Sequence, residues 1–409
     1  MKAEIIAVGN EVVMGNTINT NAGYIAKQLQ TMGIMPKYHT AICDEPEAIK
    51  SAMDIALKRA EVVILTGGLG PTKDDLTKEV ICEHLNKPLE MNQEAQEALE
   101  AYFKSINRIM SENNKKQALF PKDAYILTNN HGTAPGCILE YNGTPVVLLP
   151  GPPKEMQPMF NDFVIPYFKK LMTIYYETID VKLFGIGESI MAERISDLLG
   201  EFEWGTVAPY ISGYEVIVRI IAKGFTKTEA KQRAQAHKNK VETRLREYVI
   251  GYNEDKLEEQ VLECLKKHDY TVSTVESCTG GLLAGRLVNC SGISAYFEQG
   301  MVTYSNEAKT KLVGVKAETL ASVGAVSPET AKEMAEGVKR VTGADIGLST
   351  TGVAGPTGGS KEKPVGLVYI GLALPDQTYV HELRLKGTRT QVREKTVKTV
   401  LYELYKLLK

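Results

Sequence analysis

The stretch from Thr271 to Lys309, TVSTVESCTGGLLAGRLVNCSGISAYFEQGMVTYSNEAK, constrains the chain more than any other. Its β-branched opening, Thr271 to Val275, reads as a buried strand. The strand breaks at once into Glu276-Ser277-Cys278-Thr279-Gly280-Gly281, and Leu282, Leu283, Arg286 and Leu287 follow at helical spacing. A strand that turns directly into a glycine-containing helix start belongs to an α/β fold. It sets small polar groups at a positive helix end whose first N–H groups lack partners within the helix. Further on, Val302-Thr303-Tyr304-Ser305 reads as a second strand, with Asn306-Glu307-Ala308-Lys309 beyond it. A hydroxyl, a thiol, a phenol and an amine therefore stand beside strand ends.

A chain of 409 residues exceeds what one core organises and predicts two or three domains. With 43% hydrophobic and 24% charged residues it has the composition of a soluble globular protein. A formal net charge of −2 gives no general attraction to nucleic acid or anionic lipid. Apolar runs such as Val146 to Leu149 are far too short to span a bilayer. The opening MKAEIIAVGNE enters a strand with no signal-peptide core, so a cytoplasmic location is expected. Six scattered cysteines form no C-x-x-C pair, which argues against a zinc site and a disulfide framework.

Residues 3–8, 37–42 and 62–66 read as strands, with helices over 22–32 and 46–59 between them. This alternation predicts a parallel sheet covered on both faces. The strand at 62–66 runs into Gly67-Gly68-Leu69-Gly70-Pro71-Thr72-Lys73-Asp74-Asp75-Leu76-Thr77, at the strand end where open α/β sheets bind ligands. Glycines there let N–H groups approach a phosphate, and a following acid can hold a metal or a hydroxyl. A helix is expected over 92–106, a hairpin turn at Asn142-Gly143, and a helix over 154–172 bent by Pro158 and Pro166. Residues 173–250 suggest a small β-α-β-β-α-like domain. Its Lys/Arg-rich helix carries interleaved Glu229 and Glu242, with Glu247 just beyond, and no G-x-x-G loop, which reads as a solvated spacer. Gly251 to Asp255 reads as a linker, followed by a helix over 257–268.

Two sets of motifs are recognisable. ESCTGG, SAYFEQGMVTYSNEAK, GAVSPETA, TTGVAGPTGGSKEKPVG and the final GTR resemble, in order, the C-terminal amidohydrolase domain of the competence/damage-inducible CinA family. Stand-alone relatives of that domain are nicotinamide mononucleotide deamidases. GNE near the start, NTN at 19–21, TGGLGPTKDDLT and LPGPPKEM resemble the molybdopterin-binding fold shared by molybdenum-cofactor proteins and the CinA amino-terminal domain. The resemblance implies three domains of α/β class. They are a molybdopterin-binding-like α/β sandwich over 1–170, a small KH-like α+β domain over 171–252, and an α/β amidohydrolase domain over 253–409. It also implies two activities, hydrolysis of nicotinamide mononucleotide to nicotinate mononucleotide and ammonia, and hydrolysis of the ADP-ribose pyrophosphate with a divalent metal. A homodimer is expected on the same ground, with no membrane and no nucleic-acid partner.

For the first domain the resemblance points to Asn21, Gly67, Gly68, Gly70, Asp75, Thr77, Gly151 and Pro152 as nucleotide-binding residues, with Asp75 also on the metal. Asn10 stands where relatives often carry Asp. For the last domain it points to Ser277, Tyr304 and Lys309 as catalytic, with no cofactor. Amide hydrolysis needs a nucleophile, a base, oxyanion donors and an acid for ammonia. The matching blocks contain no His, and a lysine serves as the base if burial lowers its pKa. Tyr304 would relay a proton or orient that base. The N–H groups of Thr279, Gly280 and Gly281 would form the oxyanion hole. Cys278 is the rival nucleophile, because a thiolate at a helix start is activated by position. Thr351, Gly352 and Gly355 in the 350–359 loop would take the mononucleotide phosphate with Arg389, whose block reads GTR where the family has GDR. Two other readings remain open, a molybdopterin-handling protein and a non-enzymatic partner in DNA uptake or recombination.

Overall fold

The computed structural model describes all residues, Met1–Lys409. The chain divides into two compact units, Met1–Thr178 with Ile221–Ala234, and Ile179–Ile220 with Gln235–Lys409.

The first unit is built on a six-stranded sheet in the order Met35–Ile42, Lys2–Val8, Val62–Thr66, Thr144–Leu149, Gly136–Tyr141, Tyr125–Leu127. The first four strands run parallel and the last two antiparallel, so the sheet is mixed rather than parallel throughout. The reversal is made at Asn142 (φ 49°) and Gly143 (φ 80°), the left-handed pair that a two-residue hairpin needs. Both faces of the sheet are covered, as the alternation predicted. Val63 and Leu65 pack with Ile49, Met53 and Ile81 on one side. Val62 and Ile64 pack with Ile25, Leu29, Phe160 and Phe168 on the other. The helix expected over 154–172 is split into Pro153–Met159, a π-helical turn Phe160–Val164, and Ile165–Leu171. Pro158 and Pro166 each remove an N–H donor, and the ladder loosens between them.

The middle segment forms a five-stranded sheet in the order Gly200–Phe202, Gly205–Ser212, Glu215–Gly224, Tyr175–Leu183, Val249–Tyr252. The expected linker is therefore corrected, because its first residues pair antiparallel with Tyr175–Leu183, Gly251 opposite Lys182 and Tyr252 opposite Val181. The turn falls at Asn253 (φ 51°), and the Asp255 carboxylate accepts from Tyr252 N at 2.9 Å. The basic helix Lys227–Leu245 spends its charge locally, with Lys238 on Glu242 at 2.9 Å and Arg244 on Asp197.

The C-terminal sheet has the order Phe297–Val302, Val272–Glu276, Ile346–Gly352, Leu367–Ala373, Thr378–Arg384. Its first three strands are parallel and the rest antiparallel. The strand expected at 302–305 lies earlier, at Phe297–Val302. Ser305 instead caps the helix Asn306–Val313, its Oγ accepting from Ala308 N at 3.1 Å, which leaves Thr303 and Tyr304 in the connecting turn. The final helix, Arg389–Leu408, starts on a capping box of Thr388 and Gln391 and buries Val392, Val397, Val400, Leu401 and Leu404 against the sheet. No helix is long and apolar enough to cross a membrane.

Candidate functional site

Three elements converge at the carboxyl end of the Val272–Glu276 strand. Burial of the strand on every residue fixes Glu276, and the chain then leaves through Ser277 to Gly281, with Gly280 (φ 59°) and Gly281 (φ 93°) both left-handed. The helix Asn306–Val313 supplies Lys309. Its Nζ lies 3.1 Å from Ser277 Oγ, 2.7 Å from the Thr303 carbonyl and 3.3 Å from the Tyr304 carbonyl. Lys309 is 1% exposed, and burial lowers its pKa from the ordinary lysine range. A neutral amine has two N–H bonds and one lone pair. The two carbonyls match the two donors, and the Ser277 hydroxyl stands where the lone pair can take its proton.

The structure separates the expected residues. Tyr304 is 64% exposed, and its hydroxyl accepts from Arg389 Nη2 at 3.2 Å. Only its backbone carbonyl is bonded to Lys309, while the phenol hydroxyl is turned to Arg389. Arg389, at the first position of the final helix, also donates from Nη1 to the Gly355 carbonyl at 2.8 Å. Gly355 thus replaces the missing Asp as the anchor of Arg389. The Thr279 hydroxyl is buried against Thr350 Oγ1 at 2.6 Å, and the Thr351 hydroxyl donates to the Ala325 carbonyl at 2.6 Å. Both hydroxyls serve as structural ties, which leaves the backbone N–H of Thr279 for the role expected of it. A Cβ at Gly352 would fall 2.6 Å from the Val368 side chain, so that glycine serves strand packing.

The oxyanion set is corrected as well. The Glu276 carboxylate is fully buried and accepts from Gly281 N at 2.9 Å, Leu283 N at 3.0 Å and Ala284 N at 2.8 Å. The helix start already holds its own anion, and only Thr279 and Gly280 of the expected trio keep N–H groups clear of it. Burial pushes the Cys278 thiol up to about 12, which disfavours the thiolate that a cysteine nucleophile needs.

In the first unit, the loops after Val8, Thr66 and Leu149 surround a cleft of about 590 Å³. Asn21, Gly67, Gly68, Gly70, Asp75, Gly151 and Pro152 line it. Thr77 does not line it, although a Cβ on Gly68 would meet its hydroxyl. Asn21 Nδ2 donates to the Gly151 carbonyl at 2.7 Å, while its Oδ1 is buried without a partner. The cleft carries Glu11, Asp44, Asp74, Asp75 and Glu155 and no basic side chain. Burial, reinforced by Glu11, Asp74 and Asp75, raises the pKa of Asp44, and burial raises that of Glu155. Asp75 Oδ2 is occupied by Thr72 N at 3.0 Å and Thr72 Oγ1 at 2.5 Å. No group of three or more His, Cys, Asp or Glu side chains is placed to hold a metal ion. A divalent ion that keeps waters and takes phosphate oxygens needs only one or two carboxylates, and Asp75 in this cleft would be one of them.

Family models match along the whole chain. "Probable molybdopterin binding domain" matches residues 4–170, "Damage-inducible protein CinA KH domain" 180–251, and "CinA C-terminal domain" 254–408. A competence-damage inducible protein, provisionally so named, of Clostridium novyi is 50% identical over 97% of this chain and 96% of its own length. The chain belongs to the CinA family. A CinA-like protein of Kosmotoga olearia is 46% identical, with 97% of this chain and 96% of its own length covered. The crystal structure of a competence/damage inducible protein from Agrobacterium tumefaciens is 44% identical over 36% of this chain and 93% of its own, with a TM-score of 0.35.

Within this CinA architecture, sequence reasoning missed two residues that shape the site. Glu276 is read where the strand breaks, but nothing local announces that its carboxylate turns back onto the next helix. Arg393 lies on a helix that reads as packing, yet its Nη2 donates to the Thr279 carbonyl at 2.7 Å. The i, i+4 spacing of Arg389 and Arg393 was the available signal, since it sets both on one helix face.

Proposed function

We propose that the C-terminal domain is a Ser–Lys amidohydrolase that converts nicotinamide mononucleotide to nicotinate mononucleotide and ammonia. The observation that carries this reading is the buried Lys309 amine, 3.1 Å from Ser277 Oγ and held by two carbonyls. Neutral Lys309 takes the Ser277 proton as Oγ attacks the carboxamide carbon. The ammonium so formed returns the proton to the amide nitrogen, the C–N bond breaks, ammonia leaves, and Ser277 holds the acyl group as an ester. Water, deprotonated by the same amine, attacks the ester, and the carboxylate departs as Ser277 Oγ regains its proton. Arg389, tied to Gly355 and Tyr304, faces the side where a phosphate monoester would be held.

The relatives described above carry names that speak of competence and damage induction, and the first family model speaks of molybdopterin binding. They favour a second reading for the first domain, a molybdopterin-type ligand in the 590 Å³ cleft. ADP-ribose hydrolysis is the alternative for that cleft. Its all-carboxylate lining admits either anion only with the charge compensated.

The test is ammonia release by the full chain from nicotinamide mononucleotide, nicotinamide riboside and nicotinamide, with Ser277→Ala and Cys278→Ala alongside. Release from the mononucleotide alone, lost in Ser277→Ala and kept in Cys278→Ala, supports the proposal. No release by the wild type moves the function to the first domain or to a non-enzymatic partner role. ADP-ribose turnover and molybdopterin binding, measured on the same preparation, decide between the readings of the cleft.

A further inference from the structure

We infer that Arg393 is a positioning residue that readies the Gly280 N–H as the oxyanion donor by acting on the Thr279–Gly280 peptide. The inference rests on the Ser277 nucleophile proposed above. Three observations carry it. Glu276 takes the N–H groups of Gly281, Leu283 and Ala284, so the rest of the helix start cannot turn to a developing oxyanion. Thr279 is buried with its hydroxyl on Thr350, whereas Gly280 is exposed, so the peptide joining them runs from the core to the open face of the site. The carbonyl of that same peptide accepts from Arg393 Nη2 at 2.7 Å.

A peptide whose carbonyl oxygen accepts from a cation is polarised through its C–N bond, and its N–H becomes a stronger donor. Arg393 suits this task. Its Nε is buried with no hydrogen-bond partner, and no carboxylate pairs with the guanidinium, so its charge is not neutralised by a neighbouring side chain. It also stands close under the turn, since a Cβ on Gly280 would lie 3.4 Å from Arg393 Nη2. Two consecutive left-handed glycines leave that turn free to move unless something pins it. Thr350 pins the entry by accepting from Ser277 N at 2.9 Å, Glu276 pins the exit, and Arg393 pins the middle. Arg389, one turn earlier on the same helix, has the different task of facing the substrate.

The experiment follows acylation of the full chain by two routes, ammonia release from nicotinamide mononucleotide and phosphonylation of Ser277 by a fluorophosphonate probe. The probe needs the same nucleophile and oxyanion donor but no nucleotide. For Arg393→Ala we expect kcat and the phosphonylation rate to fall roughly 10- to 100-fold, with KM unchanged. Added guanidinium should restore both in part, and Arg393→Lys should keep more of each than the alanine variant. Arg389→Ala should raise KM. A rise in KM alone for Arg393→Ala, or phosphonylation at the wild-type rate, overturns the assignment and makes Arg393 a substrate anchor or a packing residue. Phosphonylation with this pattern but no ammonia release removes the nicotinamide mononucleotide reading and keeps the role of Arg393. Absence of both reactions in the wild type overturns the inference together with the nucleophile.

Discussion

At Lys309, the proposed base, burial acts against the ammonium form. Desolvation favours the neutral amine, while the carbonyls of Thr303 and Tyr304 can serve either form as acceptors. Activity should rise with pH through the depressed pKa of Lys309, well before the unperturbed lysine value of about 10.4. A kcat/KM profile whose base limb sits at that ordinary value would contradict the burial argument. Stability has the same sign. The unfolded lysine binds a proton that the folded one has lost, so between the folded and unfolded pKa values stability rises with pH, and the effect is absent in Lys309→Met. That variant should lose about 10²- to 10⁴-fold in kcat without a fall in Tm, because a desolvated amine gives way to an apolar chain of similar length. Cys278 shows the opposite case. With its thiol buried and pushed up to about 12, Cys278 should escape alkylation while the protein is folded, and Cys278→Ala should retain kcat within a few fold.

At the scale of elements, the turn after the Val272–Glu276 strand depends on Glu276. Replacing it with alanine leaves three N–H groups without their acceptor, and the denaturant midpoint should fall by an amount worth about 3 kcal/mol or more. Thr388→Ala removes half of the capping box under Arg389; it should cost about 1 kcal/mol and raise KM, since the frayed first turn carries Arg389. Legibility in the sequence followed the strength of local signals. Val62–Thr66 and the Asn142-Gly143 turn were readable because burial and left-handed backbone each leave a residue signature. The strand Phe297–Val302 was not, because it lies at a sheet edge with Glu298, Gln299 and Gly300 exposed and so lacks alternation. The linker misreading has a related cause, since Gly251 and Tyr252 become strand only by pairing with residues nearly seventy positions earlier. In the site, the Ser277–Lys309 pair was legible from motif order. The partners of Tyr304, Glu276 and Arg393 were not, because each is set by where a side chain turns after the backbone is placed.

At the scale of the molecule, the second unit braces its final helix from behind. Tyr214 donates to Glu394 at 2.9 Å, Lys398 meets Glu215 at 2.5 Å, and Phe184 stands edge-on to Tyr402 at 5.1 Å. Lys398 and Glu215 are both largely buried, so Glu215→Ala should destabilise this unit by more than the 0–1 kcal/mol of a surface pair. The competing role in DNA uptake makes a separate demand. A chain of net charge −2 whose basic helix holds Lys238 and Arg244 in internal ion pairs should show no DNA affinity that falls steeply with salt. Retention on DNA with that salt signature would give weight to the partner role.

The most direct test is to quench the full-length protein during turnover of nicotinamide mononucleotide and map the acyl group by peptide mass spectrometry. The account predicts an ester on Ser277 that vanishes in Ser277→Ala and is unaffected by Cys278→Ala. An acyl group on Cys278, or ammonia released with Ser277→Ala as fast as with the wild type, would contradict it.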